Sequence, residues 1–571
     1  MAVLSKHLSL LAPLLAFLTS NFSTLAAAQN TSTSEYDIIV VGGGAGGLVA
    51  ATKFAESGLK TLLLERGGPM LYRDGNREIP AWAQEAYPDG DLTRHDAMAF
   101  YAFNYPGSVN ASSYYCTNLP DNLLAACMLG GGTSVNAVQQ FWPPAHYIDA
   151  AFGFEGWTSA DFQPAIERVV ARVPQTQYWS ADKEFYNDQV YGLMGSVLKT
   201  IGLAEVNTTQ SVNSKYNTFG RDVYASADGL RGGPLVGYLQ DAKKLPNFTL
   251  KMYSTVESVV RNGSKITGVQ VNGTVVTANS VVLSAGVWNT VALLFASGIG
   301  PEEHLQTAAA INYTSYTKDE WILNNAVGGN LHDNPQTNVA FTYNETDALP
   351  AYSLAGALTG ANVSKHDADM LFYNHSGPLT NTGRQLVAWI TVDDKKSSTE
   401  MTAQTICSNP TSINGTFNCQ FNLNEGLLSR GRIGLGSDGN LTFADGVGPW
   451  LTNTLDVQHY AKALRKFIVG SRANPGLNVT SPTGLSSLKD YEQWLSTNAK
   501  KSNNHWGGSC TIGTTDGTKN GTGCVDINAK VYGTDNLFVI DGSLSPAPTS
   551  SNPAFLYEII AELAVGRILK L

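Results

Sequence analysis

A glycine-rich segment near the N-terminus limits most strongly what this chain can fold into. In the stretch EYDIIVVGGGAGGLVAATKFAESGLKTLLLERGG, a β-branched apolar run over Tyr36–Val41 leads directly into a cluster of glycines. Apolar residues then recur at helical spacing over residues 48–57, and a second strand is predicted over residues 60–64. This order of elements predicts one βαβ unit with a tight glycine turn after its first strand.

The glycine spacing in that turn predicts a dinucleotide site. The pattern G-x-G-x-x-G occurs at Gly42, Gly44 and Gly47. The first glycine lets the chain turn, the second lets backbone approach a pyrophosphate, and the third lets helix and strand pack closely. Phosphates are favoured at the N-terminus of the helix, and Glu65 ends the second strand where it would accept hydrogen bonds from an adenosine ribose. The motif predicts nucleotide binding but leaves nicotinamide and flavin both open.

Length and composition exclude other classes of protein. A chain of 571 residues with 43% hydrophobic and only 15% charged residues is typical of one large domain or two interlocked domains. The formal net charge is -10 and no run of Lys and Arg occurs, so nucleic acid is not an expected partner. No cysteine or histidine spacing resembles a zinc site, and no metal is predicted.

The N-terminus is typical of a secretory signal peptide. Lys6 precedes an apolar run over residues 8–18, and an A-x-A pattern ends at Ala28, so residues 1–28 are expected to be removed. The apolar run is short for a membrane span, and no other segment has the required length. Asn-x-Ser/Thr sequons recur from Asn30 to Asn520 and predict a secreted, N-glycosylated protein.

The cysteines agree with an oxidising compartment. They fall into three pairs that are close in sequence: Cys116 with Cys127, Cys407 with Cys419, and Cys510 with Cys524. Secretion favours disulfides, so this local pairing is one hypothesis, with the other pairings left open.

Three further stretches resemble the glucose-methanol-choline (GMC) family of flavin oxidoreductases. ACMLGGGTSVNA, residues 126–137, is similar to the family's first signature, and SAGVWNTVALLFASGIGP, residues 284–301, is similar to its second. NLFVIDGSLSPAPTSSNPAFLYEIIAELAVGRIL, residues 536–569, is similar to the C-terminal block. With the N-terminal motif these stretches span nearly the whole mature chain. One departure is Val291, where the family usually has a small residue or proline.

The resemblance implies FAD, and no residue suggests a covalent link to it. The implied fold class is α/β with mixed α+β character: a Rossmann-like FAD-binding domain interlocked with a substrate domain that is built on a mostly antiparallel sheet. The expected FAD-binding domain comprises residues 36–150, 246–300 and 516–571, and the expected substrate domain comprises residues 151–245 and 301–515.

The family motifs also imply which residues contact FAD. Residues 130–136 would wrap the flavin and pyrophosphate, the backbone of Val256 would meet the adenine, and Asp541 and Gly542 would lie near the isoalloxazine. The expected cofactor-binding residues are Gly42, Gly44, Gly47, Glu65, Gly131, Gly132, Thr133, Asn136, Val256, Asp541 and Gly542.

Among the branches of the family, the chain most resembles the flavin domain of fungal cellobiose dehydrogenase. The stretches LLLERGGP, CMLGGGTSVN, LSRGRIGL and NNHWGGS carry this likeness. Neither a haem domain nor a cellulose-binding module is expected, because the predicted cleavage site lies close to the first strand and the chain stops at the closing helix. Residues 315–421 are expected to determine the substrate specificity. In this range no arginine or acidic residue matches one in the disaccharide-oxidising enzymes of the family.

The resemblance assigns the chemistry to two side chains. Alcohol oxidation by a flavin needs a base within hydrogen-bond reach of the hydroxyl, and histidine has a suitable pKa. By the match to the family, His505 in NNHWGGS is this base and Asn552 in SSNP is its partner, whose amide can hold the substrate oxygen. Protonated His505 would also stabilise the reduced flavin. A structural core histidine is the alternative, and a metal ligand is a weaker one.

Two neighbours of His505 have alternative interpretations. Asn504 would bind substrate together with His505 and Asn552, or would only form a turn. Trp506 is expected to pack rather than to bind.

The predicted function is therefore a secreted FAD-dependent sugar or oligosaccharide dehydrogenase that oxidises a hemiacetal CH-OH group to a lactone. An alcohol oxidase or dehydrogenase acting on an aryl alcohol or a secondary-metabolite intermediate is the first alternative. A hydroxynitrile lyase of the same fold and a non-catalytic secreted flavoprotein are alternatives of another class. The electron acceptor is expected to be O2 or a quinone, and the sequence does not predict the oligomeric state.

Overall fold

The structure is a computed structural model, and it describes residues 34–103, 114–120, 123–352, 360–361, 363–394, 399–411, 413–500 and 502–571. The predicted signal peptide and the sequons at Asn30, Asn110 and Asn362 lie outside these residues.

The first sheet contains the predicted βαβ unit. Tyr36–Val41 pairs in parallel with Thr61–Leu64, and the helix Ala45–Glu56 joins them. In spatial order the strands are Phe248–Lys251, Thr61–Leu64, Tyr36–Val41, Thr274–Leu283, Lys265–Val271 and Val256–Asn262, and Leu537–Val539 pairs in parallel with the end of Thr274–Leu283. The strands of this sheet come from distant parts of the chain, so the sheet pairs segments that are far apart in sequence.

One strand of this sheet is longer than the sequence predicts. The sequence predicts a short strand over residues 280–283, but the observed strand is Thr274–Leu283. Its mostly exposed first half pairs antiparallel with Lys265–Val271 and forms a hairpin, while its second half, which ends in the core, pairs in parallel with Tyr36–Val41. The first half lacks the continuous apolar run by which a buried strand is predicted, because it lies mostly outside the core.

The second sheet is mostly antiparallel, as the family resemblance implies. In spatial order its strands are Leu477–Ser481, Gln336–Tyr343, Thr416–Leu423, Thr399–Ser408, Arg384–Asp394, Thr218–Arg221 and Ala204–Glu205. Only the last pair is parallel. The mixed α/β fold that the sequence predicts is therefore confirmed, whereas the proposed domain boundaries stay a prediction.

Helices cover one face of the second sheet and leave the other face to the site. Phe417 and Phe421 face the helical side and pack in one core with Phe341 and Phe467. Because side chains alternate along a strand, Gln420 points to the opposite face, where a cavity lies. Within the described residues the α-helices are Ala45–Glu56, Ala81–Ala86, Gly132–Val135, Ala145–Ala151, Ser159–Arg172, Gln189–Thr200, Pro234–Gly237, Leu239–Ala242, Gly286–Ala296, Glu302–Ala310, Lys365–Asn374, Thr454–Arg472, Leu488–Asn498 and Ala554–Ile568.

The disulfides follow the local pairing predicted from the sequence. Cysteines bond as Cys116 with Cys127, Cys407 with Cys419, and Cys510 with Cys524. Cys407 and Cys419 lie directly opposite each other on neighbouring strands. Within the described ranges no helix combines the length and apolar character that crossing a bilayer requires.

Candidate functional site

A single cavity of about 600 Å³ brings together nearly all the residues that the sequence singles out. It opens where the parallel strands end at Val41 and Leu64, and the antiparallel sheet forms its other wall. The predicted residues that line it are Gly42, Gly44, Glu65, Gly131, Gly132, Thr133, Asn136, Val256, Asn504, His505, Asp541, Gly542 and Asn552. Gly47 is the exception, because it lies behind the glycine turn.

The glycine turn has the geometry that its spacing predicts. Gly42 has a φ of 103°, and a Cβ there would lie 2.3 Å from the carbonyl oxygen of Ser284. A Cβ at Gly47 would lie 2.0 Å from the carbonyl oxygen of Gly42. A Cβ at Gly44 would meet nothing within 4 Å, which leaves open space in the cavity beside the backbone. Tight packing therefore fixes the turn on the side of Gly42 and Gly47. On the side of Gly44 its backbone faces the cavity, and we call this surface the glycine cradle.

Two carboxylates organise the backbone around this cradle. Glu65 accepts hydrogen bonds from the backbone N–H groups of Gly43 (2.8 Å) and Gly67 (2.7 Å), which the sequence did not predict. Asp541 accepts from the N–H of Gly286 at 2.9 Å and from Thr290 Oγ1 at 2.6 Å. Burial raises the pKa of Asp541, and these donors oppose that rise.

The donors along this part of the cavity fit a dinucleotide. Free N–H groups at the start of the helix Ala45–Glu56 suit phosphates, and the Glu65 carboxylate keeps lone pairs for ribose hydroxyls. A Cβ at Gly132 would also meet nothing within 4 Å, so the second glycine-rich segment leaves room opposite Gly44. The site therefore has both the space and the polar groups that a long cofactor with a pyrophosphate requires.

At the other end of the cavity both ring nitrogens of His505 lie within hydrogen-bond distance of side-chain amides. Its Nε2 lies 3.1 Å from Asn552 Nδ2, and its Nδ1 lies 3.0 Å from Asn334 Oδ1. An amide nitrogen only donates, so Nε2 accepts from Asn552 and the imidazole proton is assigned to Nδ1, from which Asn334 accepts it. Asn503 Nδ2 also lies 3.0 Å from Nδ1. In this assignment both nitrogens are donors, so no hydrogen bond forms between them. The unprotonated nitrogen thus lies beside Asn552.

The surroundings keep this imidazole neutral. Removal from bulk water, and then the positive charge of Arg384, lower the pKa of His505 to about 3. The ring is enclosed by protein except where it faces the cavity. His505 is therefore unprotonated, and able to accept a proton, throughout the neutral pH range.

A buried aspartate fixes the backbone that carries His505. Asp333 accepts hydrogen bonds from His505 N (2.8 Å), Asn503 N (3.0 Å), Ser502 Oγ (2.7 Å) and Trp450 Nε1 (3.1 Å). The disulfide between Cys510 and Cys524 closes the chain shortly after this loop. Sequence reasoning missed Asp333 and Asn334, because they lie about 170 residues from His505 and share no local motif with it.

Hydrogen bonds between side-chain amides connect His505 to the guanidinium of Arg384. Asn552 Nδ2 lies 3.4 Å from Gln139 Oε1, which accepts from Arg384 Nη1 at 2.9 Å. Arg384 Nη2 donates to Gln420 Oε1 at 3.1 Å, and Gln420 Nε2 donates to Asn503 Oδ1 at 2.8 Å. Gln139, Arg384 and Gln420 line the cavity, and no sequence motif singles out any of them.

Asn504 and Trp506 differ in what they contribute. Asn504 has a φ of 58°, and its Oδ1 accepts from the backbone N–H of Leu124 at 3.2 Å, which favours the turn interpretation. Trp506 is 6% exposed and packs edge-on against Trp288 and Trp450 at centroid distances of 5.1 and 5.6 Å.

The arrangement can bind a hydroxyl group between an acceptor and a donor. Nε2 of His505 would take the hydroxyl proton, and Asn552 Nδ2 would donate to the oxygen that keeps the negative charge. No group of three His, Cys, Asp or Glu residues in the described part of the chain is arranged to hold a metal ion.

Comparisons with known proteins point to one family. Two family models described as GMC oxidoreductase match residues 36–336 and 428–561. An oxygen-dependent choline dehydrogenase of Chromohalobacter salexigens is 25% identical over 583 residues, which cover 94% of this chain and 95% of that protein. The glucose methanol choline oxidoreductase atC of Aspergillus terreus is 24% identical over 609 residues, 95% of this chain and 93% of that protein. The crystal structure of formate oxidase superposes with a TM-score of 0.72 at 18% identity, covering 94% and 98% of the two chains.

Proposed function

The chain belongs to the GMC oxidoreductase family and is FAD-dependent, and on that premise we propose that it oxidises a CH-OH group with His505 as the proton acceptor. One observation carries this proposal: a neutral imidazole and the amide of Asn552 converge at the end of the cavity that also contains the glycine cradle. Both side chains line the cavity, so a substrate hydroxyl that enters it can take the place of the Asn552 amide at Nε2 and donate to that nitrogen.

The proposed reaction balances with two electrons and two protons. The hydroxyl proton of the substrate passes to His505 Nε2, while Asn552 Nδ2 donates to the substrate oxygen. When bound, FAD would supply the acceptor for the hydride that leaves the carbinol carbon as C–O becomes C=O. The imidazolium then keeps its Nδ1 proton bonded to Asn334 Oδ1. Overall, the acceptor, either O2 or a quinone, would take up two electrons and two protons, and the release of one proton by His505 would complete the cycle.

The cofactor roles predicted from the sequence are part of the same proposal. The backbone of the turn at Gly42 and Gly44 would hold the pyrophosphate, with Gly47 supporting it from behind. Glu65 would bind the ribose and Val256 would meet the adenine. The remaining contacts would come from Gly131, Gly132, Thr133, Asn136, Asp541 and Gly542.

We propose a sugar or oligosaccharide as the substrate, which makes the enzyme a dehydrogenase or oxidase of hemiacetal hydroxyls. The amides of Gln139, Gln420, Asn503 and Asn552 line the cavity next to His505, and such a surface suits a ligand with several hydroxyl groups. The likeness of NNHWGGS and LSRGRIGL to the flavin domain of fungal cellobiose dehydrogenase supports the same class.

An aryl alcohol is the second candidate substrate. Tyr115, Leu124 and Trp288 also line the cavity and would pack against an aromatic ring.

Secretion and N-glycosylation are proposed as well. The three disulfides agree with an oxidising compartment. Sequon asparagines on the described surface are exposed, among them Asn262, Asn344, Asn440, Asn478 and Asn520.

Anaerobic mixing of the FAD-loaded protein with sugars and aryl alcohols tests the proposal. Loss of the oxidised flavin absorbance on a stopped-flow time scale is the expected result. If no member of the panel bleaches the flavin, oxidation of a CH-OH group is refuted, and cleavage of a cyanohydrin by a flavin that stays oxidised becomes the next hypothesis to measure.

A further inference from the structure

The two ends of the Asn552 side-chain amide make opposite kinds of hydrogen bond. Its Oδ1 accepts from Gln404 Nε2 at 3.0 Å, and its Nδ2 lies 3.1 Å from His505 Nε2 and 3.4 Å from Gln139 Oε1. An amide nitrogen only donates and an amide oxygen only accepts. The amide therefore satisfies all its contacts in one orientation, and a half-turn would place two donors together at Gln404 and two acceptors together at Gln139.

Gln404 contacts Asn552 from within the antiparallel sheet. It lies in the strand Thr399–Ser408 with a fully buried side chain, and the described residues that line the cavity do not include it. Its Oε1 accepts from Nδ2 of Asn424, which is fully buried as well, at 3.2 Å. Because Oε1 has this partner, Nε2 is the end that donates to Asn552. Gln404 therefore acts on the cavity through Asn552.

Charged groups fix Gln139 on the other side of Asn552. Gln139 Nε2 donates to Asp222 Oδ2, and its Oε1 accepts from Arg384 Nη1 at 2.9 Å. Burial raises the pKa of Asp222 to about 6, so its carboxyl group is ionised at pH 7 and above. A carboxylate only accepts and a guanidinium only donates, so the Gln139 amide keeps its Oε1 towards Asn552. The hydrogen bonds from Asp222 to Asn424 thus have one common direction.

The imidazole of His505 could match either orientation of Asn552. With the proton on Nδ1, Asn334 Oδ1 accepts it at 3.0 Å, and Nε2 accepts from the Asn552 nitrogen. With the proton on Nε2, Nδ1 would accept from Asn503 Nδ2 at 3.0 Å, and Asn552 would have to present its oxygen. Each tautomer has a partner for both nitrogens, so the orientation of Asn552 decides between them. Only the tautomer with its proton on Nδ1 can accept a hydroxyl proton at Nε2.

We propose that Gln404 is a positioning residue that selects the reactive tautomer of His505. By donating to Asn552 Oδ1 it keeps the amide nitrogen towards Nε2, which agrees with the orientation that Gln139 imposes. The imidazole proton then stays on Nδ1. The proposal rests on the oxidation proposed above, in which Nε2 takes the hydroxyl proton and Asn552 Nδ2 donates to the substrate oxygen.

Gln404→Glu makes the orientation of Asn552 depend on pH. Elsewhere in this chain a buried carboxyl group, that of Glu558, accepts one hydrogen bond from the Gln140 amide, and burial raises its pKa to about 8. The carboxyl group introduced at position 404 would be equally buried and would accept from Asn424, so it should titrate in the same range. When protonated it can donate to Asn552 Oδ1, as glutamine does. When ionised it only accepts, and it attracts the Asn552 nitrogen instead.

Nitrogen NMR of the FAD-loaded protein with isotope-labelled histidine measures the tautomer, and His505→Gln identifies the signals of His505. In the wild type the proton should lie on Nδ1 at both pH 7 and pH 10. In Gln404→Glu it should move to Nε2 between these pH values. The rate constant of anaerobic flavin reduction at saturating substrate should fall about 10- to 100-fold over the same interval. A merely structural Gln404 would affect stability without moving the proton.

Gln385→Glu is the matched control. Gln385 is a fully buried glutamine of the neighbouring strand Arg384–Asp394, and its side-chain amide has no hydrogen-bond partner among the described residues. The variant adds a buried carboxyl group outside the chain of amides, so the proton should stay on Nδ1 and the rate constant should not fall. If Gln404→Glu does not fold, Asn424→Asp replaces it, because a carboxylate there would turn the Gln404 amide and with it Asn552.

The two measurements separate this proposal from the oxidation on which it rests. If no alcohol reduces the flavin but the proton moves to Nε2 in Gln404→Glu, the oxidation is wrong and the positioning role stands. If the proton stays on Nδ1 up to pH 10, or if Gln385→Glu moves it equally, the role of Gln404 is refuted while the oxidation stands. A proton on Nε2 in the wild type would refute that role as well.

Discussion

Asn503→Asp tests whether a negative charge beside the ring raises the low pKa of His505. The Nδ2 atom of Asn503 lies 3.0 Å from His505 Nδ1, and in the variant a carboxylate oxygen takes its place. A negative charge at this distance favours the imidazolium. With an effective dielectric constant of about 20, the attraction is about 5 kcal/mol, or about four pKa units, which would raise the pKa of His505 from about 3 to about 7.

The consequence is a new pH dependence of flavin reduction. An imidazole that is already protonated cannot accept the hydroxyl proton, so the anaerobic reduction rate of the variant at pH 6 should be about a tenth of its rate at pH 8. In the wild type the same rate should not vary through the titration of His505 between pH 5 and 9, since its pKa lies well below this range. Stopped-flow reduction at saturating substrate over a pH series measures both profiles.

The adjacent asparagine provides a matched control. Asn504→Asp adds the same charge one residue away, but the side chain of Asn504 is exposed and bonds to Leu124 N and to Ser502 Oγ instead of the ring. Its profile should keep the shape of the wild type. A flat profile for Asn503→Asp in a folded, FAD-loaded protein, or equal shifts in the two variants, would refute the assigned role of these contacts.

Three further predictions concern catalysis, acid stability and glycosylation. His505→Ala should slow flavin reduction by about 10² to 10⁴ with FAD retained, and an unchanged rate constant would remove His505 from the mechanism. Burial lowers the pKa of His332 to about 3, so its neutral form contributes stability that is complete above pH 6.5 and is lost as the pH falls towards 3. Denaturant titrations should therefore show that His332→Gln reduces the slope of unfolding free energy against pH by about 1.4 kcal/mol per unit between pH 4 and 6, and parallel slopes would contradict this. Asn247 Nδ2 donates to the carbonyl oxygens of Ala55 and Leu59, both at 2.8 Å. Mass spectrometry of protein expressed in a glycosylating host should therefore find this sequon unmodified while exposed Asn262 carries a glycan.

Local patterns in the sequence account for one end of the cavity. The turn at Gly42, Gly44 and Gly47, the strands beside it and the acid at Glu65 follow from spacing within one βαβ unit, where sequence neighbours are also neighbours in space. The same holds for the disulfides, whose partners are 11 to 14 residues apart. His505 and Asn552 were found only through family motifs, because nothing in their own surroundings distinguishes a base from a core residue.

Tertiary structure alone decides which residues contact His505 and which charged side chain lines the cavity. Asn334 and Asp333 reach the ring and its backbone across about 170 residues, which no periodicity records. Arg384 enters the cavity only because the strand shifts register beside it, and a regular strand with the same sequence would turn it towards the helices. Sequence by itself therefore determined the glycine turn, and the family motifs singled out His505 and Asn552. The pairing of distant strands decided the protonation state of His505 and the charge of the cavity wall, since electrostatics depends on distance in space.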